Sequence, residues 1–145
     1  MPDGAQEYLK VQVKTASQDQ LLLMLLDGAV RFVEGALERQ AAGDREAKGA
    51  LLLKAENIIL ELVQSLSPTI GEKVYGNLIG LYKFIYGRLV DGNLRDDPAS
   101  IGEGLRILKD VRETWRQAVA SYRSGLDAPM ARKAQAPAAG ICVQA

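Results

Sequence analysis

The side chain best suited to moving protons near neutral pH is missing: histidine does not occur among the 145 residues. Histidine is also the commonest protein metal ligand. Its absence excludes a Ser-His-Asp triad, a Cys-His pair and most zinc sites. The lone cysteine, Cys142, has no partner within the chain for a disulfide, which fits a reducing compartment, and it is expected to be an incidental tail thiol. Carboxylates do sit near one another, as Asp96-Asp97 and as Glu34 with Glu38. The first pair reads as a helix cap and the second as a solvated helix face, because exposed charges are the norm. The glycine-rich stretch 71–80 follows no strand and lacks the Lys-Ser/Thr of a phosphate loop. Di-iron bundles need Glu-x-x-His pairs, which this chain cannot supply. The expectation is therefore a protein that is not an enzyme and has no cofactor or metal.

Charge narrows the partners. Lys plus Arg equals Asp plus Glu at 18 each. Nucleic acids and anionic membranes attract a basic surplus, and mixed signs along each helix speak against a basic stripe. The longest apolar run, residues 21–26, falls far short of the roughly 20 residues a membrane span needs. No secretory signal pattern opens the chain. These features lead to the expectation of a soluble cytoplasmic protein that neither binds nucleic acid nor inserts into membranes.

Positioning then falls to helices. Ser17 with Gln20 fits a capping box, and Asp19 lies in the first turn, where negative charge is favoured. Leu22, Leu25, Leu26, Ala29, Phe32, Val33 and Ala36 then recur at helical spacing, with Gly43 as a stop. Asp44 can cap a second helix whose stripe is Ala47, Leu51, Ala55, Ile58, Leu62 and Leu66, flanked by Leu52, Ile59 and Val63. Ser67-Pro68 ends it. A third helix is expected from near Gly71 to about Asn93. Val74, Leu78, Leu81, Ile85 and Leu89 form one stripe there; Ile79, Tyr82, Tyr86 and Val90 form another. Residues 93–98 read as a loop in which Asp97 caps and Pro98 opens a fourth helix. That helix carries Ile101, Leu105, Leu108, Val111, Trp115, Val119 and Tyr122 and ends near residues 124–125. Short loops between long helices imply an all-α, antiparallel four-helix bundle at residues 17–124. Residues 1–16 suit a short strand-like or single-turn capping segment, and residues 125–145 a disordered tail.

One feature exceeds what a bundle needs. A bundle helix requires an apolar arc about 100° wide, and the second and third helices have more. Leu53, Leu60, Tyr82, Tyr86 and Val90 cannot all face one seam. The surplus is either a generous core, a homodimer face, or a groove for an amphipathic partner segment. The apolar residues of segment 8–13 would cover part of such a groove when it is empty.

The ordered blocks resemble the flagellin export chaperone family, FliS. They begin with Tyr8-Leu-Lys-Val-Gln-Val-Lys-Thr-Ala-Ser17 and Leu21-Leu-Leu-Met-Leu-Leu-Asp-Gly-Ala-Val-Arg-Phe32. Lys54-Ala-Glu-Asn-Ile-Ile-Leu-Glu-Leu62, Asn77-Leu, Leu81-Tyr82 and Ile85-Tyr-Gly-Arg-Leu89 follow. Asn93-Leu, Asp97-Pro98 and Glu113-Thr-Trp115 complete the set. Gln18 stands where the family pattern has proline, and Leu26 where it has tyrosine.

The resemblance implies the same bundle fold. It also implies a cytoplasmic chaperone that binds the disordered C-terminal segment of flagellin, blocks premature polymerisation and supports delivery to the flagellar type III export gate. On that reading Tyr8, Val11 and Val13 are the cap, and Leu53, Ile59, Leu60, Ile79, Tyr82, Tyr86 and Val90 are the groove candidates. Tyr82→Glu is then expected to weaken client binding more than stability. The alternative is a structural bundle with the surplus stripes forming a homodimer face.

Overall fold

The computed structural model describes residues 18–127. Within them lie four α-helices: α1 (Gln18–Ala41), α2 (Arg45–Ser65), α3 (Glu72–Leu94) and α4 (Pro98–Asp127), with a 3-10 turn at Pro68–Ile70 before α3. The all-α expectation holds, and the helix limits differ from those read in the sequence by a few residues. Helix α3 continues through Leu94 into the segment expected to be loop, and α4 runs past residue 125 to Asp127. Ser17, the cap at 1–16, the tail beyond 127 and the side chain of Tyr122 lie outside the described residues.

Local chemistry explains the helix ends. After α1 the Gly43 N–H donates to Gln40 O at 3.1 Å and the Asp44 N–H to Arg39 O at 2.9 Å. This is the paired closure of a Schellman ending, and it needs the left-handed φ of 77° that Gly43 adopts. Asp44 then caps α2, its carboxylate accepting from the Ala47 N–H at 3.1 Å. Asp97 does the same for α4, accepting from the Ala99 N–H at 3.0 Å, with Pro98 as the first helical residue. Between α3 and α4 the chain reverses over Asp96, whose φ is 51°. Aspartate tolerates that region better than most non-glycine residues.

Side-chain ladders fix the arrangement. Asp27 pairs with Arg112 and Arg116 at 3.3 and 3.1 Å, and Glu34 with Lys109 at 3.1 Å, so α1 and α4 run in opposite senses. Tyr82 meets Trp115 and Arg88 meets Glu103, so α3 and α4 do too. Each helix packs on two neighbours in the ring α1–α2–α3–α4, as an up-down bundle requires.

Leu26 and Val33 of α1, Leu52 and Ile59 of α2, Ile85 and Leu89 of α3, and Ile101 and Leu108 of α4 make the centre of the core. On α2 this shifts the inward face from the expectation. Leu52 and Ile59, read as flanks, are fully buried, whereas Leu51 and Ile58 of the expected stripe are half-buried towards α1. On α3 the inward line is Tyr82, Ile85, Leu89 and Gly92, while Val74 and Leu81 of the expected stripe are exposed. The reason is that α3 is apolar on several faces, so periodicity alone does not select one. Gly92 is required where α3 meets α4, since a Cβ there would sit 2.5 Å from Ile101 Cγ1 and 3.0 Å from the Asp97 carbonyl.

Candidate binding grooves on both sides of helix α3

Helix α3 is flanked by apolar grooves because its contacts with α2 and α4 leave the outer parts of both seams open. On the α2 side, Ile59, Leu60 and Val63 face Tyr82, Tyr86 and Gly87, with Lys83 at the rim. This groove holds about 230 Å³. On the α4 side, Leu78 and Leu81 face Ile107 and Val111 around about 140 Å³. Towards the start of α3, Val74 and Leu78 face Trp115 and Ala118 around about 110 Å³. A further apolar pocket lies where α1 begins, with Gln18, Leu21 and Leu25 opposite Leu62 and Ser65.

The residues expected to form a groove fall into three groups. Leu53 and Leu60 are exposed at 56% and 43%, and their seven-residue separation places them on one outward line of α2. Ile79, Tyr86 and Val90 are half-buried on α3, and of these Tyr86 lines the groove beside Leu60. Ile59 and Tyr82 are core residues that reach the groove only as its floor. Tyr82 is 1% exposed, so the expectation that Tyr82→Glu mainly weakens binding is corrected: that substitution buries a charge and attacks the fold. Tyr8, Val11 and Val13 lie outside the described residues.

The floors of the two seams are joined. The Trp115 indole Nε1–H donates to the Tyr82 hydroxyl at 3.0 Å inside the core. Tyr82 lines the α2 side and Trp115 the α4 side. Burial pushes the Tyr82 hydroxyl up to about 12, with the Trp115 hydrogen bond acting weakly the other way. It is therefore a fixed hydrogen-bonding group at physiological pH and not an acid or base.

Periodicity missed the α4 side of α3. Val74, Leu78 and Leu81 share an expected stripe with Ile85 and Leu89, and only packing shows that they stand over a second open seam. The glycines of α3 widen that opening. Gly76 and Gly80 would carry a Cβ with nothing within 4 Å, as would Gly87, so the outer face of α3 is open along its length. Exposed Leu81 and Phe84 border that face.

Nothing in these grooves assembles chemistry. Among the described residues no group of three His, Cys, Asp or Glu side chains gathers as a metal site, and no helix is long and apolar enough to cross a membrane. Leu26, where the family pattern has tyrosine, is fully buried in the core, so the missing hydroxyl is an internal change.

Comparisons with known proteins identify the family. The family pattern described as Flagellar protein FliS matches residues 1–122. The flagellar secretion chaperone FliS of Salmonella typhimurium is 38% identical over 119 residues, covering 79% of this chain and 88% of that protein. The flagellar secretion chaperone FliS of Bacillus subtilis is 34% identical over 116 residues, covering 80% and 86%. That of Escherichia coli is 32% identical over 123 residues, covering 81% and 90%. These relatives are named as chaperones, a non-enzymatic role, and the chain belongs to the flagellar protein FliS family.

Proposed function

We propose that this chain is a cytoplasmic export chaperone whose client is the C-terminal segment of flagellin, which it keeps from polymerising and passes to the flagellar type III export apparatus. Family membership supports the chaperone role. The observation that carries the client reading is the open apolar surface on both sides of α3. A four-helix bundle that worked alone would close those seams. Here Leu60, Tyr86, Leu78 and Leu81 remain available beside exposed Leu53 and Phe84.

The energetics suit a reversible clamp. A disordered client loses several kcal/mol, about 2–5, in becoming ordered. Apolar contact returns about 25 cal/mol per Å² of buried area. A long client spread over two seams offsets the ordering cost and still dissociates at the export gate. Residues 1–17 join the bundle at Gln18, which rims the apolar pocket between α1 and α2. On this reading Tyr8, Val11 and Val13, which precede Gln18 in the chain, cover part of the client surface when no client is bound.

The test is calorimetric titration with a synthetic peptide of the last ~40 residues of the host's flagellin, a length matched to the area coupled folding buries. Saturable binding with a negative heat-capacity change and a gain of helical circular dichroism is expected. Leu53→Ser with Leu60→Ser should weaken it at least tenfold while leaving the helical spectrum unchanged. No binding by the folded protein, together with a mass that rises with concentration, would instead assign the exposed residues to a homodimer.

A further inference from the structure

No residue from Ser67 to Leu81 is buried, the longest such run among the described residues. It takes in the 3-10 turn and the first half of α3. At the same end of the bundle the other helices are anchored, by Leu22 on α1, Leu62 on α2, and Trp115 and Val119 on α4. Helix α3 begins to bury residues only at Tyr82, and continues with Ile85, Leu89 and Gly92.

Polar ties break at the same place. The later half of α3 is bonded to α4: Tyr82 accepts from Trp115, Arg88 pairs with Glu103, and the Arg88 carbonyl accepts from Ser100 at 2.8 Å. Among the described residues, no hydrogen bond or ion pair joins residues 67–81 to α1, α2 or α4. What holds this segment is the partial packing of Ile70, Tyr75, Leu78 and Ile79 on the edge of the core. Its own helix is weak as well. Gly71 has no side chain with which to cap α3, and Gly76 and Gly80 lower its helix propensity. A segment with few buried apolar contacts opens at a fraction of the cost of unfolding the whole protein.

We infer that residues 67–81 form a strap: it opens as a unit at its junction with Tyr82 while the rest of the bundle stays closed, and it recloses on a client segment lodged against α4. Its Val74, Leu78 and Leu81 are one wall of the apolar spaces on that side, and Ile107 and Trp115 belong to the fixed wall. A segment lying between the walls touches both, so it holds the strap down. Opening lets an extended chain enter the seam from the side, and closing covers Val74 and Leu81, which the free protein leaves exposed. This inference rests on the client reading above.

Amide hydrogen exchange of the full chain, followed residue by residue in rising but sub-denaturing urea, tests the opening. The comparison starts at Gly76, because the first amides of a helix have no partner within it. The amides of residues 76–81 are expected to exchange about a hundredfold or more faster than those of residues 85–92. Urea should change the first group little and speed the second steeply, since a small opening exposes little surface. Equal rates with equal urea dependence would mean that α3 opens only with the whole bundle, and the inference is overturned. A saturating peptide of the last ~40 residues of the host's flagellin should then slow the amides of residues 76–81 about tenfold or more. If the peptide binds and these amides exchange as before, the strap does not close on the client; the inference is overturned and the client reading stands. If no peptide binds the folded protein, the client reading fails and the closing step with it, whatever the exchange of the free chain shows.

Discussion

Helices α3 and α4 are neighbours, and they use apolar residues in opposite ways. On α4, Ile101, Leu105, Leu108, Val111, Trp115 and Val119 are all buried, while Arg106, Lys109, Asp110, Glu113 and Arg116 take the outside. On α3 only Tyr82, Ile85, Leu89 and Gly92 are buried, and Val74, Leu81, Phe84 and Leu94 are exposed. Helix α4 is built to hold the bundle together. Helix α3 is held by a narrow inward line and offers its remaining surface outwards. The lesson is that surplus apolar surface is concentrated on one element and its two seams, which is where a partner segment would be received.

The sharpest way to break that contrast is at the one α3 residue that serves both purposes. Tyr82→Glu removes a buried ring and places a carboxylate in the core, at a cost of at least ~4 kcal/mol. Urea denaturation should show most of the stability lost. A variant that unfolds near the wild-type midpoint would mean that α3 is anchored elsewhere. The milder Tyr82→Phe leaves the Trp115 indole N–H without its acceptor, and about 1–3 kcal/mol should be lost. Trp115 fluorescence should shift in the folded variant, because its hydrogen bond is gone.

The next effect separates two kinds of glycine on the same helix. Gly92→Ala would push a methyl against Ile101 and the Asp97 carbonyl. Overpacking of this kind costs about 1–3 kcal/mol. Melting curves of the variant should fall, and rescue by a smaller residue at position 101 would locate the clash.

The contrast also explains what the sequence could reveal. Each α4 residue of the expected stripe that the structure describes is buried, because the charged residues Arg106, Lys109, Asp110, Glu113 and Arg116 hold the opposite face. The caps at Asp44 and Asp97 and the stop at Gly43 were equally legible, since each depends on a residue's own chemistry. On α3 two adjacent stripes and several glycines allowed more than one rotation about the helix axis. Tyr82, expected as a groove residue, is the buried floor of the groove, and Val74 and Leu81, on one expected stripe with the buried Ile85 and Leu89, are exposed. On α2, Leu53 and Leu60 were legible as outward because they lie opposite the stripe Ala47, Leu51, Ala55, Ile58 and Leu62, on one line seven residues apart.

Acid should loosen the junction between α3 and α4. The Asp96 carboxyl is held below its usual 3.8 first by the Lys48 hydrogen bond, against a smaller opposing effect of burial, and then by the charges of Arg45 and Lys48. A carboxylate with a depressed folded-state pKa contributes stability above its unfolded value, and that contribution disappears as pH falls through the folded value. The urea midpoint of the wild type should therefore drop towards that of Asp96→Asn as pH falls below about 4, while the two differ at pH 7. Equal midpoints at pH 7 would show that the pair contributes nothing to stability.

The smallest effect tests the other kind of glycine. Gly76, Gly80 and Gly87 lie in a helix with open space where a Cβ would be, so nothing in the fold opposes alanine there. Each Gly→Ala should stabilise the free protein by about 0.5–1 kcal/mol through the lower entropy of the unfolded chain. A gain at Gly76 and Gly80 set against the loss at Gly92 would establish that α3 gives up helix stability on its outer face and nowhere else. The flagellin peptide then asks what that sacrifice serves. If Gly80→Ala stabilises the protein but weakens the peptide tenfold, the client crosses the outer face of α3 at close range and links the two seams. If stability rises and affinity is unchanged, the client occupies the seams alone, and the bare outer face of α3 takes no part in holding it.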